Sequence, residues 1–176
     1  MTKKPSIHFI ITGGTIDSFY DGTKDTAVPL PHSSIPAFIK SLKLYDDIKF
    51  TEICMKDSRA LTRNDVNKIT ATIQKSSQKA IIITHGTYTM PDTARFLKAN
   101  LKRKDQVIIF TGSMIPLTGF APSDAPFSLG YAMAKIEELK PGIYVAMNGR
   151  IFSPEEVAKL LDEGRFISVF CDKKIN

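Results

Sequence analysis

Nothing in the 176-residue sequence approaches the ~20 consecutive apolar residues that a membrane-spanning helix needs. Met1 to Ser6 leads into a short strand-like segment, not into the apolar core and cleavage site of a secretory signal, so a cytoplasmic location is expected. Cysteine is scarce. Cys54 and Cys171 stand alone with no Cys-x-x-Cys, and His8, His32 and His85 are scattered, which argues against a zinc-ligand cluster. Neither a metal nor a cofactor is expected. Charge of one sign is in only modest excess: 24 basic against 18 acidic residues, net +6. The positive residues gather at Lys3-Lys4, Lys102-Arg103-Lys104 and Lys173-Lys174, in tails and at an expected helix end. With no basic helix and no aromatic-interleaved basic patch, this reads as a solvated surface and not as a nucleic-acid groove. Internal repeats, low-complexity tracts and linkers are missing too.

What remains, 43% hydrophobic and 24% charged residues, fits one globular domain over residues 1–176. A chain of this length hides roughly 70% of its unfolded surface and needs no disulfide staples. Three apolar runs, Ile7 to Ile11, Ala80 to Ile83 and Val107 to Phe110, are too short for helices and rich in β-branched or aromatic residues. They are expected to be buried strands. Ile143 to Met147 and the weaker alternation of Ile48 to Met55 complete an expected sheet of five. Helices fall between them. Thr62 and Asp65 form a capping signature before Val66, Ile69 and Ile73, and Ser123 precedes Leu129, Ala132, Met133, Ile136 and Leu139 at helical spacing. Pro91 opens a third helix through Leu101, and Ser153, Pro154 and Glu156 open a fourth that ends before Gly164.

Strands alternating with helices imply βαβ units and a mostly parallel sheet covered on both faces, a doubly wound α/β three-layer sandwich of the Rossmann-like or flavodoxin-like kind. Such folds bind ligands at the carboxyl ends of the strands. Here those ends read Thr12-Gly13-Gly14-Thr15, Thr84-His85-Gly86-Thr87-Tyr88-Thr89 and Thr111-Gly112-Ser113-Met114. Glycine lets backbone approach a ligand, and hydroxyls donate, accept or, with a base beside them, attack. Hydroxyl residues after strands also cap helices and satisfy turns, which is the blander reading of each motif taken alone. Gly13-Gly14 also suits a phosphate cradle. However, neither Gly-x-Gly-x-x-Gly nor a P-loop occurs in a strand-to-helix setting. Gly22 to Ser34 is long and polar enough for a mobile loop over that edge.

Ile11 to Ile16 (ITGGTI) and Ile83 to Met90 (ITHGTYTM) resemble the two signature motifs of the bacterial-type L-asparaginases. Asp57-Ser58, Thr111 to Leu117 and Ser123 to Leu129 resemble three further segments of that family, so the resemblance spans nearly the whole chain. It implies an amidohydrolase in which Thr15 is the threonine that attacks the amide carbon and Thr87 the second active-site threonine. It implies that Ser58 holds the substrate carboxylate, beside the glycine turns at Gly14 and Gly86. Met147-Asn148 followed by Lys159 resembles the spacing of the family lysine that partners the second threonine. Helical periodicity opposes this, since Val157, Leu160 and Leu161 would define a buried face with Lys159 opposite, so both readings of Lys159 stand. Tyr20 is the nearest candidate for the family's mobile-loop tyrosine.

Two departures accompany these matches. Tyr88 stands where the family motif has an aspartate for the substrate ammonium, and Arg59 and Ala60 follow Ser58 where another acid is usual. The family's smaller C-terminal domain is expected to be absent. The expectation is therefore hydrolysis of a carboxamide with release of ammonia, on a substrate other than free asparagine. The alternative is an inactive asparaginase-like domain that binds a small molecule or partner. A homo-oligomer is expected, because an open strand-end crevice is poorly shielded from water.

Overall fold

A computed structural model describes residues 6–170, so Lys3-Lys4, Cys171 and Lys173-Lys174 lie outside the described residues. The chain forms a three-layer α/β sandwich around one six-stranded sheet ordered β4-β1-β5-β6-β7-β8. Its strands are β1 (Ser6–Gly13), β4 (Asp47–Lys56), β5 (Ala80–Thr84), β6 (Val107–Thr111), β7 (Gly142–Met147) and β8 (Arg150–Phe152). Five run parallel, and β8 adds an antiparallel edge the sequence did not announce. That edge follows from Asn148 (φ 52) and Gly149 (φ 71), two consecutive positive-φ residues that turn the chain tightly back on itself.

Helices cover both faces because the central strands are apolar on both sides. On one face, Ile69 and Ile73 of α2 (Arg63–Lys75) and Met90, Ala94 and Leu97 of α3 (Met90–Asn100) pack on Ile10, Ile81, Ile83 and Phe110. On the other, Ile35 and Ile39 of α1 (Ile35–Ser41) and Leu129, Ala132 and Ile136 of α4 (Ala125–Ile136) pack on Phe9, Ile11, Ile82 and Ile109. The Thr62 and Asp65 signature is a true capping box, and Asp65 also accepts a hydrogen bond from Lys56 at 2.7 Å, joining α2 to the end of β4.

Two segments differ from expectation. Gly22 to Ser34 is not an open loop: β3 (Thr26–Pro29) pairs antiparallel with β2 (Ser18–Asp21), and α1 begins at Ile35. The expected fourth helix is instead a hairpin of β9 (Val157–Leu160) and β10 (Arg165–Ser168). The helix-start signal there was physically real but short-lived. Glu156 accepts a hydrogen bond from the Ser153 amide at 2.6 Å, as a capping residue would, and the Val157 amide bonds back to the Ser153 carbonyl at 3.3 Å. After that one turn, long-range partners take over. Glu156 accepts from the Ser168 hydroxyl, Arg95 of α3 donates to the Val157 carbonyl at 2.6 Å, and the Asn148 side chain accepts from the Phe166 amide at 2.9 Å. A helix of about nine residues is marginal by itself, so the antiparallel partner and buried Val157 and Phe166 decide the outcome.

Candidate active site

The site begins at the tip of β1, where Gly13 and Gly14 carry φ of 83° and 85°. The Gly14 amide is not free to cradle an anion. The Gly14 amide donates to the Lys56 carbonyl at 2.9 Å, and a Cβ built on Gly13 falls 2.5 Å from the Lys56 nitrogen. A Cβ on Gly14 falls 2.4 Å from the Gly86 nitrogen, and one on Gly86 lies 2.7 Å from the Ser58 side chain. The glycines thus let three strand ends, those of β1, β4 and β5, touch backbone to backbone. Thr15, Ser58 and Thr87, each adjacent to or in this contact, are drawn together by it.

Thr15 opens a short 3-10 turn, so its amide has no acceptor within that turn, and its side chain is half-buried. Two residues on, Asp17 is fully buried and receives the Ser33 hydroxyl at 2.6 Å and the Ser34 amide and hydroxyl at 2.8 and 2.9 Å. Burial nevertheless raises its carboxyl above the ordinary aspartate range, the hydrogen bonds opposing that rise. The carboxylate ties the Thr15 turn to the start of α1.

At the end of β5, Thr87 is 95% buried, with 5% of its surface exposed, and its hydroxyl accepts a hydrogen bond from Lys159 Nζ at 2.7 Å. Here the helical reading of Lys159 is overturned. In β9 the side-chain period is two, so Lys159 shares a face with buried Val157, and its register partner Phe166 is buried in the same core. Burial, followed by the Arg59 guanidinium, pushes the Lys159 ammonium below the usual lysine range, with Asp57 acting the other way. A lysine with lowered basicity against a hydroxyl is an acid–base pair. Next to it His85 is fully buried, its Nδ1 2.8 Å from the Gly86 carbonyl, and burial pushes it down to about 4, so it is neutral at pH 7 and donates through Nδ1.

Ser58 is buried. Its hydroxyl accepts from the Thr89 amide at 3.3 Å and its carbonyl from the Thr89 hydroxyl at 3.0 Å, which couples the β4 and β5 ends a second time. At the rim, Asp57 receives the Arg59 amide and guanidinium, with Nε at 2.9 Å, and the guanidinium lies 5.6 Å from the ring centre of Tyr88. Tyr88 is 54% exposed. It lies against Arg59. Tyr20 is not brought to Thr15 by any contact among the described residues: it is exposed on β2 and its hydroxyl donates to Asp25 within the same hairpin, which raises its pKa and opposes formation of a tyrosinate.

Sequence reasoning also missed structural carboxylates. Asp124 caps the β6 end by accepting the Met114 and Ile115 amides, both at 2.9 Å in their shorter contacts, a role foreshadowed only by its place before α4. Arg59 stood out as a departure without any sign that it would clasp Asp57 and cover Tyr88. Among the described residues, no group of three or more His, Cys, Asp or Glu is arranged to hold a metal, and no helix is long and apolar enough to cross a membrane.

A sequence model of the N-terminal domain of asparaginase matches residues 6–165, which decides the family. The chain belongs to the asparaginase family. Over 167 residues it is 29% identical to a glutaminase-asparaginase of Acinetobacter glutaminasificans, covering 89% of this chain and 50% of that protein. It is 30% identical over 163 residues to a probable periplasmic L-asparaginase of Haemophilus influenzae, covering 88% and 46%. The structure of a probable cytoplasmic L-asparaginase from Campylobacter jejuni superposes with a TM-score of 0.77 at 30% identity, over 94% of this chain and 53% of that one. The thermostable L-asparaginase from Thermococcus kodakarensis gives 0.78 at 29%, over 93% and 51%. The chain spans about half the length of the asparaginases it matches.

Proposed function

We propose that the chain hydrolyses a carboxamide with Thr15 as nucleophile. The Thr15 hydroxyl forms a bond to the amide carbon, the carbon–nitrogen bond breaks and ammonia leaves. Water then cleaves the acyl–threonine ester to a carboxylic acid and free Thr15. Thr87 and Lys159 handle protons, Lys159 alternating between its neutral and charged forms. The Thr15 N–H, which has no acceptor within its own turn, receives the developing oxyanion. Gly14 and Gly86 hold the turns together, Ser58 meets the substrate's carboxylate, and Tyr88 borders it. Tyr20 would join only if the β2–β3 hairpin rearranged to release Asp25.

The observation that carries this reading is the 2.7 Å contact of Lys159 with Thr87, because a base on a hydroxyl beside three converging glycine-lined strand ends is what amide hydrolysis needs. Ammonia release over a panel of carboxamides tests it, and release by wild type but not by a Thr15 variant is the expected result.

The pH dependence of that activity follows from Lys159. Its neutral form accepts a proton, and burial lowers its pKa, so activity rises with pH along a limb that lies below the ordinary lysine range. Lys159→Met is expected to lower kcat about 100-fold and to remove that limb. A limb that persists in Lys159→Met assigns the titration to another group.

A cytoplasmic homo-oligomer belongs to the same reading. Phe19, Tyr20, Tyr88, Ile115, Phe120 and Phe127 are large apolar or aromatic side chains exposed around the strand-end loops, and a second subunit would cover them. Light scattering is expected to give a multiple of 19.5 kDa, and a monomer at high concentration refutes the assembly.

A further inference from the structure

Hydrogen-bond donors and two basic side chains border the rim of the site. The basic groups are Lys159, on Thr87, and Arg59, which lies over Tyr88 and is paired with Asp57. Of the carboxylates beside the strand ends, Asp57, Asp17 and Asp124 are each already engaged. Asp57 accepts the Arg59 amide, Nε and, at 3.2 Å, Nη2. Asp17 is fully buried beneath the Thr15 turn and occupied by Ser33 and Ser34. Asp124 is occupied by the Met114 and Ile115 amides.

An ammonium arriving here would meet the Arg59 guanidinium and, in its protonated form, Lys159, and would have to share the Asp57 carboxylate with Arg59. An incoming carboxylate would meet the reverse. Tyr88 offers its hydroxyl as a donor at the rim, and the Ser58 hydroxyl, which takes the Thr89 amide on its oxygen, keeps its own hydrogen to donate. Charge-assisted hydrogen bonds are roughly twice as strong as neutral ones, so the sign of the group at this position governs selectivity.

We propose that the site takes the monoamide of a dicarboxylic acid, with a free carboxylate and no ammonium, and that Arg59 and Tyr88 set this preference. The inference rests on the amidohydrolase reading for its chemistry, but its charge argument stands on the rim alone. Succinamate and L-asparagine share a carbon skeleton and differ only by the ammonium, which makes them the test pair.

In the purified chain, kcat/KM for ammonia release from succinamate is expected to exceed that from L-asparagine by tenfold or more. Equal or better use of L-asparagine overturns the substrate class while leaving the amidohydrolase reading intact. Tyr88→Asp, which places a free carboxylate at the rim, is expected to shift the succinamate-to-asparagine ratio at least tenfold toward asparagine. Arg59→Gln, at an exposed side chain whose loss leaves the fold alone, is expected to shift it the same way by unclasping Asp57. A ratio unmoved in both folded variants overturns the role of the rim. Should no carboxamide release ammonia, the amidohydrolase reading fails, and calorimetric binding of succinate against L-aspartate reads the rim directly. Tighter succinate supports the charge preference, and tighter L-aspartate overturns it.

Discussion

Thr15→Ala is expected to lower kcat for ammonia release by at least about a thousandfold, with the folded structure and its thermal midpoint nearly unchanged. The size follows from the role: without the hydroxyl there is no ester intermediate, and the Thr87–Lys159 pair can only promote slow direct attack by water. The intact fold follows from position. Thr15 is half-buried at a strand tip, outside both core clusters, and no hydrogen bond of its hydroxyl to another protein group is found among the described residues. Stopped-time ammonia assays with circular dichroism on the same sample separate the two quantities. Wild-type rates in a folded Thr15→Ala protein would refute the mechanism. Thr87→Ala is the informative companion, since its hydroxyl is the Lys159 partner and its loss should alter the pH profile as well as the rate.

Gly14→Ala is expected to be the most destabilising single methyl that can be added to the site. It combines two penalties, a backbone at φ 85° and ψ −175° that is essentially reserved for glycine, and a Cβ placed 2.4 Å and 2.5 Å from the Gly86 nitrogen and Cα. Backbone cannot swing aside as a flexible side chain would, so the β1 and β5 tips must part. A loss of about 4 kcal/mol or more is expected, roughly 8–16 °C in Tm for a chain of this size. Gly119→Ala supplies the control. Gly119 also has positive φ, 79°, but nothing lies within 4 Å of its added Cβ, so only dihedral strain of about 1–2 kcal/mol remains. Equal losses for the two variants would mean that the close approach of Gly14 to Gly86 contributes nothing beyond its dihedral.

How much of this was legible beforehand depended on the range of the forces involved. The five parallel strands could be read because each is a short β-branched run buried on both sides, and the α2 capping box because Thr62 and Asp65 are three residues apart and act on each other. The strand-end motifs around Thr15, Ser58 and Thr87 were legible for the same reason: the sheet topology alone brings the ends of parallel strands to one edge. The β9–β10 hairpin was not legible. Ser153 and Glu156 truly form a helix-like first turn, and the residues that end it, Asn148, Arg95 and the β10 strand, act from elsewhere in the chain. The error passed directly into the site, since a helix turned Lys159 to solvent and the hairpin turns it to Thr87. The Tyr20 contact was not legible either, since the bond from its hydroxyl to Asp25 depends on the pairing of β2 with β3.

By itself, then, the sequence determined the alternation of strand and helix, the family, and the three glycine-marked strand ends, because hydrophobic period and local turn chemistry are properties of neighbouring residues. Only the tertiary structure decided that Lys159 reaches Thr87, that Arg59 meets Tyr88, and that the Asp57 carboxylate is bonded to Arg59. Those contacts join residues up to 72 positions apart, and side-chain charges are paired by proximity in space, which no spacing along the chain encodes.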